Sequence, residues 1–161
     1  MFNRRNDTLI AELKKQRSKA ITNFNDLALI KNEELAEFFF SKFQTGEDVP
    51  FALLVQMPEN EVIPLPVVHG GWIMTTRKKI AASDVILYET RWSAGSTLTW
   101  HYHSDCNEKI IVVTGGIKVY SEGNVNLLGP GQTIEIAAAI GHQITALEDT
   151  TLEINFRKIT K

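Results

Sequence analysis

Gly95-Ser-Thr-Leu-Thr-Trp-His101-Tyr-His103-Ser-Asp-Cys-Asn-Glu108-Lys-Ile-Ile-Val-Val-Thr-Gly115 is the stretch whose reading decides the fold. Its apolar residues and turn formers predict two short strands, 97–103 and 108–114, joined by a brief polar loop. His101 and His103 are two apart on the first strand, and side chains alternate faces with period two, so both imidazoles point the same way. Glu108 opens the second strand, where an antiparallel neighbour can bring its carboxylate beside them. From Glu108 the same parity puts Ile110 and Val112 on the inner wall, and Gly115-Gly116 supplies a tight turn. Trp100 and Tyr102 alternate with the histidines and are expected to face away, as packing or subunit-contact residues. Thr99 is expected on the histidine face, lining the cavity.

On either side the rhythm continues. Further strands are predicted at 51–56, 62–68, 72–76, 84–92, 116–121, 124–128, 132–136, 141–147 and 150–157. Turn residues separate them, among them Gly70-Gly71, Glu122-Gly123-Asn124 and Gly129-Pro130-Gly131. Many short strands at this spacing indicate an antiparallel sandwich or barrel. In the last of them Leu152, Ile154 and Phe156 alternate with Thr151, Glu153, Asn155 and Arg157, giving one dry face and one wet face.

The chain changes character near Gly46. Asp7 is a plausible N-cap for a helix over 7–28, with Leu9, Ile10 and Leu13 at helical spacing. Asn32 can cap a second over 32–44, whose first turn carries Glu33 and Glu34, where the helix dipole favours negative charge. The expected organisation is a helical N-terminal extension, 1–48, and a β-barrel domain, 49–161. The cluster Phe38-Phe39-Phe40 reads as core or interface.

The central stretch resembles the first motif of the cupin superfamily: glycine, five residues, His-x-His, three or four residues, glutamate, six residues, glycine. Gly95, His101, His103, Glu108 and Gly115 fit it without adjusting any spacing. The second cupin motif is glycine, five residues, Pro-x-Gly-x-x-His. Counting from Gly131 places Ala137 at the proline, Ala139 at the glycine and His142 at the histidine; Ala146 stands where a final asparagine is common. The resemblance covers about residues 84–157 and implies a mainly β, cupin-type antiparallel barrel (a double-stranded β-helix, or jelly roll).

It further implies a divalent transition metal (iron, manganese, nickel, zinc or copper) held by His101, His103, Glu108 and His142. Four protein ligands on an octahedral ion would leave two adjacent positions for water, dioxygen or substrate. Cupins with this ligand set include dioxygenases, decarboxylases and isomerases of small acids, enols, diketones and sugars. An iron-type dioxygenase in a barrel lined by Ile110, Val112, Ile144 and Ile154 is the first expectation. A non-catalytic small-ligand binding or sensing module, and a metal-dependent isomerase or decarboxylase, are the alternatives.

Several neighbours carry two readings. Cys106 is either a thiol near the metal or an ordinary loop cysteine. His69 is either an acid–base group at the barrel mouth or a surface histidine beside a turn. Tyr88, Arg91 and Trp92 belong to the strand before the first motif. There Arg91 either pairs with a substrate carboxylate or points outward.

The totals bound the partners. A net charge of −2 over 161 residues offers no basic footprint for nucleic acid and no polybasic membrane anchor. No apolar run reaches membrane-spanning or signal-peptide length, and the single cysteine forbids an internal disulfide. A cytoplasmic protein binding a small molecule is expected, and a homodimer, since Trp100, Tyr102 and the phenylalanine cluster offer self-association surfaces.

Overall fold

The computed structural model describes residues 46, 48–65, 67 and 70–159. The expected helices over 7–28 and 32–44, the phenylalanine cluster and His69 lie outside the described residues.

Among the described residues, ten strands follow one short helical turn, α1 (Phe51–Leu54). They are β1 (Val62–Leu65), β2 (Ile73–Lys78), β3 (Val85–Trp92), β4 (Thr97–His101), β5 (Cys106–Thr114), β6 (Ile117–Ser121), β7 (Asn124–Leu128), β8 (Thr133–Ile136), β9 (His142–Ala146) and β10 (Thr150–Lys158). They form a six-stranded sheet in the order β1-β2-β3-β10-β5-β8 and a four-stranded sheet in the order β4-β9-β6-β7. Every strand pairing within the sheets is antiparallel. The expected mainly β, antiparallel architecture is therefore the observed one.

The inner faces follow from alternation. On β10, Leu152, Ile154 and Phe156 are buried while Glu153 and Arg157 are exposed, as the period of two requires. Ile110 and Val112 of β5 and Ile144 of β9 join them in one core. Each such side chain contributes roughly 1.5–3 kcal/mol on burial, so the interdigitated inner faces hold the sheets together.

One expected strand is not a strand. Residues 51–56 were assigned to β structure on a continuous apolar run, yet Phe51–Leu54 form a helical turn. A run of this length has no decisive periodicity. The Pro50 carbonyl accepts hydrogen bonds from the amides of Leu53 and Leu54 at 3.0 and 3.1 Å, closing the turn. Phe51, Leu53 and Leu54 then all face the core, which a flat strand could not arrange from these positions.

β3 resolves the open reading of Arg91. Tyr88, Thr90 and Trp92 point inward, and Arg91 is exposed on the outer face. It is not a pocket residue. Its neighbour Trp92 satisfies its indole N–H inside the barrel by donating to the Thr90 hydroxyl at 2.8 Å.

Candidate metal centre

His101 and His142 are directly opposed across the β4–β9 pairing. Glu108 comes from β5 in the other sheet, and His103 lies just beyond the end of β4, in the loop that leads to β5. The four side chains thus arrive from both sheets at one point inside the barrel. One ligand-capable atom from each lies within 4.8 Å of the others. All four residues are buried, at 1%, 3%, 3% and 0% exposure for His101, His103, Glu108 and His142.

Parity does not carry through β4 unbroken. Leu98 pairs with Ile144 and His101 with His142, so three steps on β4 match two on β9. The extra residue is a bulge. It lets Leu98 and His101 both face inward despite their odd separation. Thr99 is displaced from the cavity it was expected to line, and Leu98 lines it instead. The Thr99 carbonyl turns back to accept a hydrogen bond from His101 Nδ1 at 2.7 Å.

The same arrangement recurs at the other two imidazoles of the cluster. His103 Nδ1 donates to the Val49 carbonyl at 2.7 Å, and His142 Nδ1 donates to the Ile140 carbonyl at 3.0 Å. A carbonyl can only accept, so each Nδ1 carries the proton and each Nε2 is left with its lone pair. His103 Nε2, His142 Nε2 and Glu108 Oε1 are buried without a hydrogen-bond partner. They nevertheless crowd together: Oε1 is 2.9 Å from His142 Nε2 and 3.3 Å from His103 Nε2. Lone pairs of like polarity at these distances need a positive charge among them. The donor set therefore fits a divalent transition metal, and the Nδ1 bonds are the kind that orient metal-binding histidines.

The electrostatics agree. Burial, reinforced by the charges of His142 and His103, pushes His101 well below the usual imidazole range, so it is a neutral donor. Burial alone would raise Glu108, but the neighbouring His142 and His103 outweigh it and hold the carboxyl well below the carboxylate range. Burial would lower His142, and the Glu108 charge overrides that and raises it. Without a metal, a proton on His142 is the cation that Glu108 attracts.

A cavity of ≈ 30 Å³ adjoins the cluster, room for roughly one or two water molecules. Its walls include Leu54, Met57, Tyr88, Trp92, Leu98 and Phe156. Apart from the site's own residues, the polar groups it meets are the hydroxyls of Thr75, Tyr88 and Thr90. Tyr88 donates its hydroxyl to the Leu54 carbonyl at 2.6 Å, and burial raises its pKa, so it stays protonated.

Cys106 is not a loop residue. It opens β5, is buried, and does not join the ligand cluster. Burial pushes its thiol up to about 12, so it is an inert thiol rather than a thiolate donor.

Residues 88–156 match the family model of the cupin domain. Those residues are a cupin domain. Among solved structures the chain is similar to KdgF from a Halomonas species, with 23% identity and a TM-score of 0.51 over 55% of this chain and 81% of that one. It is also similar to an RmlC-like cupin from Shewanella frigidimarina, with 15% identity and a TM-score of 0.51 over 58% of this chain and 82% of that one. The cupin domain of Schizosaccharomyces pombe Cnp3 gives 9% identity and a TM-score of 0.51 over 54% and 65%. At these identities the likeness is one of fold. No curated protein matches the chain.

The chain departs from the second motif at Ala139, and the structure shows the cost. Ala139 has φ +68°, a left-handed conformation in which a Cβ is strained and glycine is not. The turn persists because the Ala139 amide donates to the His103 carbonyl at 2.7 Å, tying the approach to His142 onto the loop that carries His103. Ala139→Gly is therefore expected to stabilise the fold by about 0.5–1 kcal/mol, the strain relieved less the entropy added to the unfolded chain. A lower denaturation midpoint in that variant would contradict the assignment of strain.

Proposed function

We propose that His101, His103, Glu108 and His142 bind a divalent transition-metal ion, and that this cupin is a metal-dependent enzyme of dioxygenase type acting on a small organic molecule. The observation that carries the reading is the convergence of four buried donor side chains on one point, with His103 Nε2, His142 Nε2 and Glu108 Oε1 lacking hydrogen-bond partners. His101, His103 and His142 serve as neutral donors fixed by backbone carbonyls. Glu108 supplies one negative charge and lowers the net charge of the site.

A bound ion would supply Lewis-acid polarisation of a substrate oxygen and, if it is iron, chemistry with dioxygen. Among the described residues, acid–base groups at the cavity are few. Beyond the coupled Glu108 and His142, the cavity offers the pinned Tyr88 hydroxyl and two threonines. Isomerisation or decarboxylation driven by a positioned protein acid and base would need more. The apolar walls favour an uncharged reactant such as dioxygen beside the site.

The small cavity favours a second reading, a ligand-binding or sensing module without turnover, since ≈ 30 Å³ does not admit an organic substrate in this conformation. Elemental analysis of protein purified without added metal, followed by oxygen uptake of the iron-loaded protein with small enols and diketones, separates the two. Iron content with substrate-dependent oxygen uptake supports the enzyme. A bound metal without uptake favours the module, and failure to take up any divalent metal would remove the centre.

We also propose a twofold dimer through the outer face that carries Trp100, which is 42% exposed, and Tyr102. A monomer by light scattering at high concentration would refute it. Among the described residues no helix is long and apolar enough to cross a membrane.

A further inference from the structure

Residues 48–57, with α1 at their middle, run past the cluster as a strap. Leu54 and Met57 of the strap form part of the cavity wall beside His101, His103 and Glu108. The strap is laced to the loop that follows β4 in both directions. Asp48 Oδ1 accepts the Ser104 amide at 2.9 Å, and Asp48 Oδ2 accepts the Ser104 hydroxyl at 2.5 Å. In return, Asp105 Oδ1 accepts the Phe51 amide at 2.8 Å. Between these two carboxylates the Val49 amide donates to the Tyr102 carbonyl at 2.8 Å, and the Val49 carbonyl accepts His103 Nδ1–H at 2.7 Å.

The bond to Val49 differs from its two counterparts. His101 and His142 are oriented by carbonyls two residues back in their own chain segments, at Thr99 and Ile140. Those carbonyls cannot leave without the strand itself moving. His103 is oriented by a carbonyl 54 residues away, on a strap seated by its own buried side chains and fixed to the loop by these hydrogen bonds. The tautomer and aim of one ligand thus depend on where the strap sits.

We infer that Asp48 and Asp105 are positioning residues of the metal centre, acting through the strap on His103. This rests on the metal-centre reading above. With the strap seated, His103 Nδ1 is held as a donor and its Nε2 is aimed inward. With the strap lifted, the ring is free to rotate and to exchange tautomers, and the wall formed by Leu54 and Met57 opens together with it. Coupling of this kind is reciprocal. A metal on His103 therefore also holds the strap down.

Cobalt(II) loss to excess chelator is the direct measure. Asp48→Ala and Asp105→Ala are each expected to release cobalt about 10–100-fold faster than the unaltered protein, the range for partners that orient a ligand. Asp48→Asn and Asp105→Asn keep an oxygen that can accept the same amide, and are expected to restore most of the retention. Metal-free unfolding midpoints provide the contrast. Lower midpoints with unchanged cobalt release in the alanine variants would show a merely structural role and overturn the inference.

A second measurement needs no variant. In the unaltered protein, cobalt loading is expected to slow hydrogen exchange at the amides of Val49 and Phe51. Unchanged exchange there in cobalt-loaded protein would also overturn it. If the unaltered protein takes up no cobalt, the metal centre falls and this inference with it. If it takes up cobalt and the alanine variants release it at the same rate, only the inference falls.

Discussion

His101→Ala is expected to lower metal affinity by on the order of 10²–10³-fold. Structural zinc sites bind with about 10–16 kcal/mol, and dividing that among four ligands gives roughly 2.5–4 kcal/mol for one. His101 is the ligand with the strongest claim to be a pure donor: it is buried, kept neutral, and oriented by Thr99 in its own strand. Tyr102→Phe alters an outward side chain and leaves the backbone carbonyl that meets Val49 in place, so affinity should stay near that of the unaltered protein. Cys106→Ser should likewise retain the metal, because the thiol is outside the cluster. It is expected to destabilise the fold modestly, by burying a hydroxyl where an apolar sulfur sat. Equal metal loss in all three variants would mean that damaged folding, not ligation, is being read.

Stripping the metal is expected to reverse how stability depends on pH. In the metal-free protein the raised pKa of His142 contributes stability that is fully present below its ordinary value of 6.5 and is lost as pH rises through the raised value. Glu108, held low, contributes stability that is present above its ordinary 4.5 and is lost as pH falls through the depressed value. Their pairing therefore favours the metal-free fold most between 4.5 and 6.5. Metal must displace the proton from His142, so binding strengthens as pH rises through the same raised value. A metal present at a thousand times its Kd adds about 4 kcal/mol, or roughly 8–16 °C in Tm for a domain of this size. Thermal melts with zinc and with chelator, from about pH 5 to about pH 8, where imidazole changes charge, are expected to diverge as pH rises. Parallel curves across that range would sink the coupling between His142 and the metal.

The strands and the four candidate ligands could be read from the chain because both rest on local regularities. Alternation along β10 sorts Leu152, Ile154 and Phe156 from their wet neighbours, and the tertiary structure only had to bring that face against another. The spacing from Gly95 to Gly115 marked His101, His103 and Glu108, and His142 followed from the spacing after Gly131; the expected pairing of the two motif strands is not what joins them, since β4 and β5 lie in different sheets and meet face to face. Ala139 was visible as a departure from the motif, but its strain was not, since φ belongs to the folded backbone.

What could not be read shares one cause: each feature depends on residues distant in the chain. The bulge that displaces Thr99 exists because β4 must match the register of β9, some 45 positions on. Which way Arg91 points was set by the pairing of β3 with β2 and β10, not by its own neighbours. The helical turn at Phe51–Leu54 buries residues against a core that the run FALLV does not contain. The sequence by itself determined the class of fold and the identity of the converging donors, because alternation and motif spacing act over short stretches of chain. Only the tertiary structure decided the tautomer of His103, because the carbonyl that sets it, at Val49, lies 54 residues away in the chain.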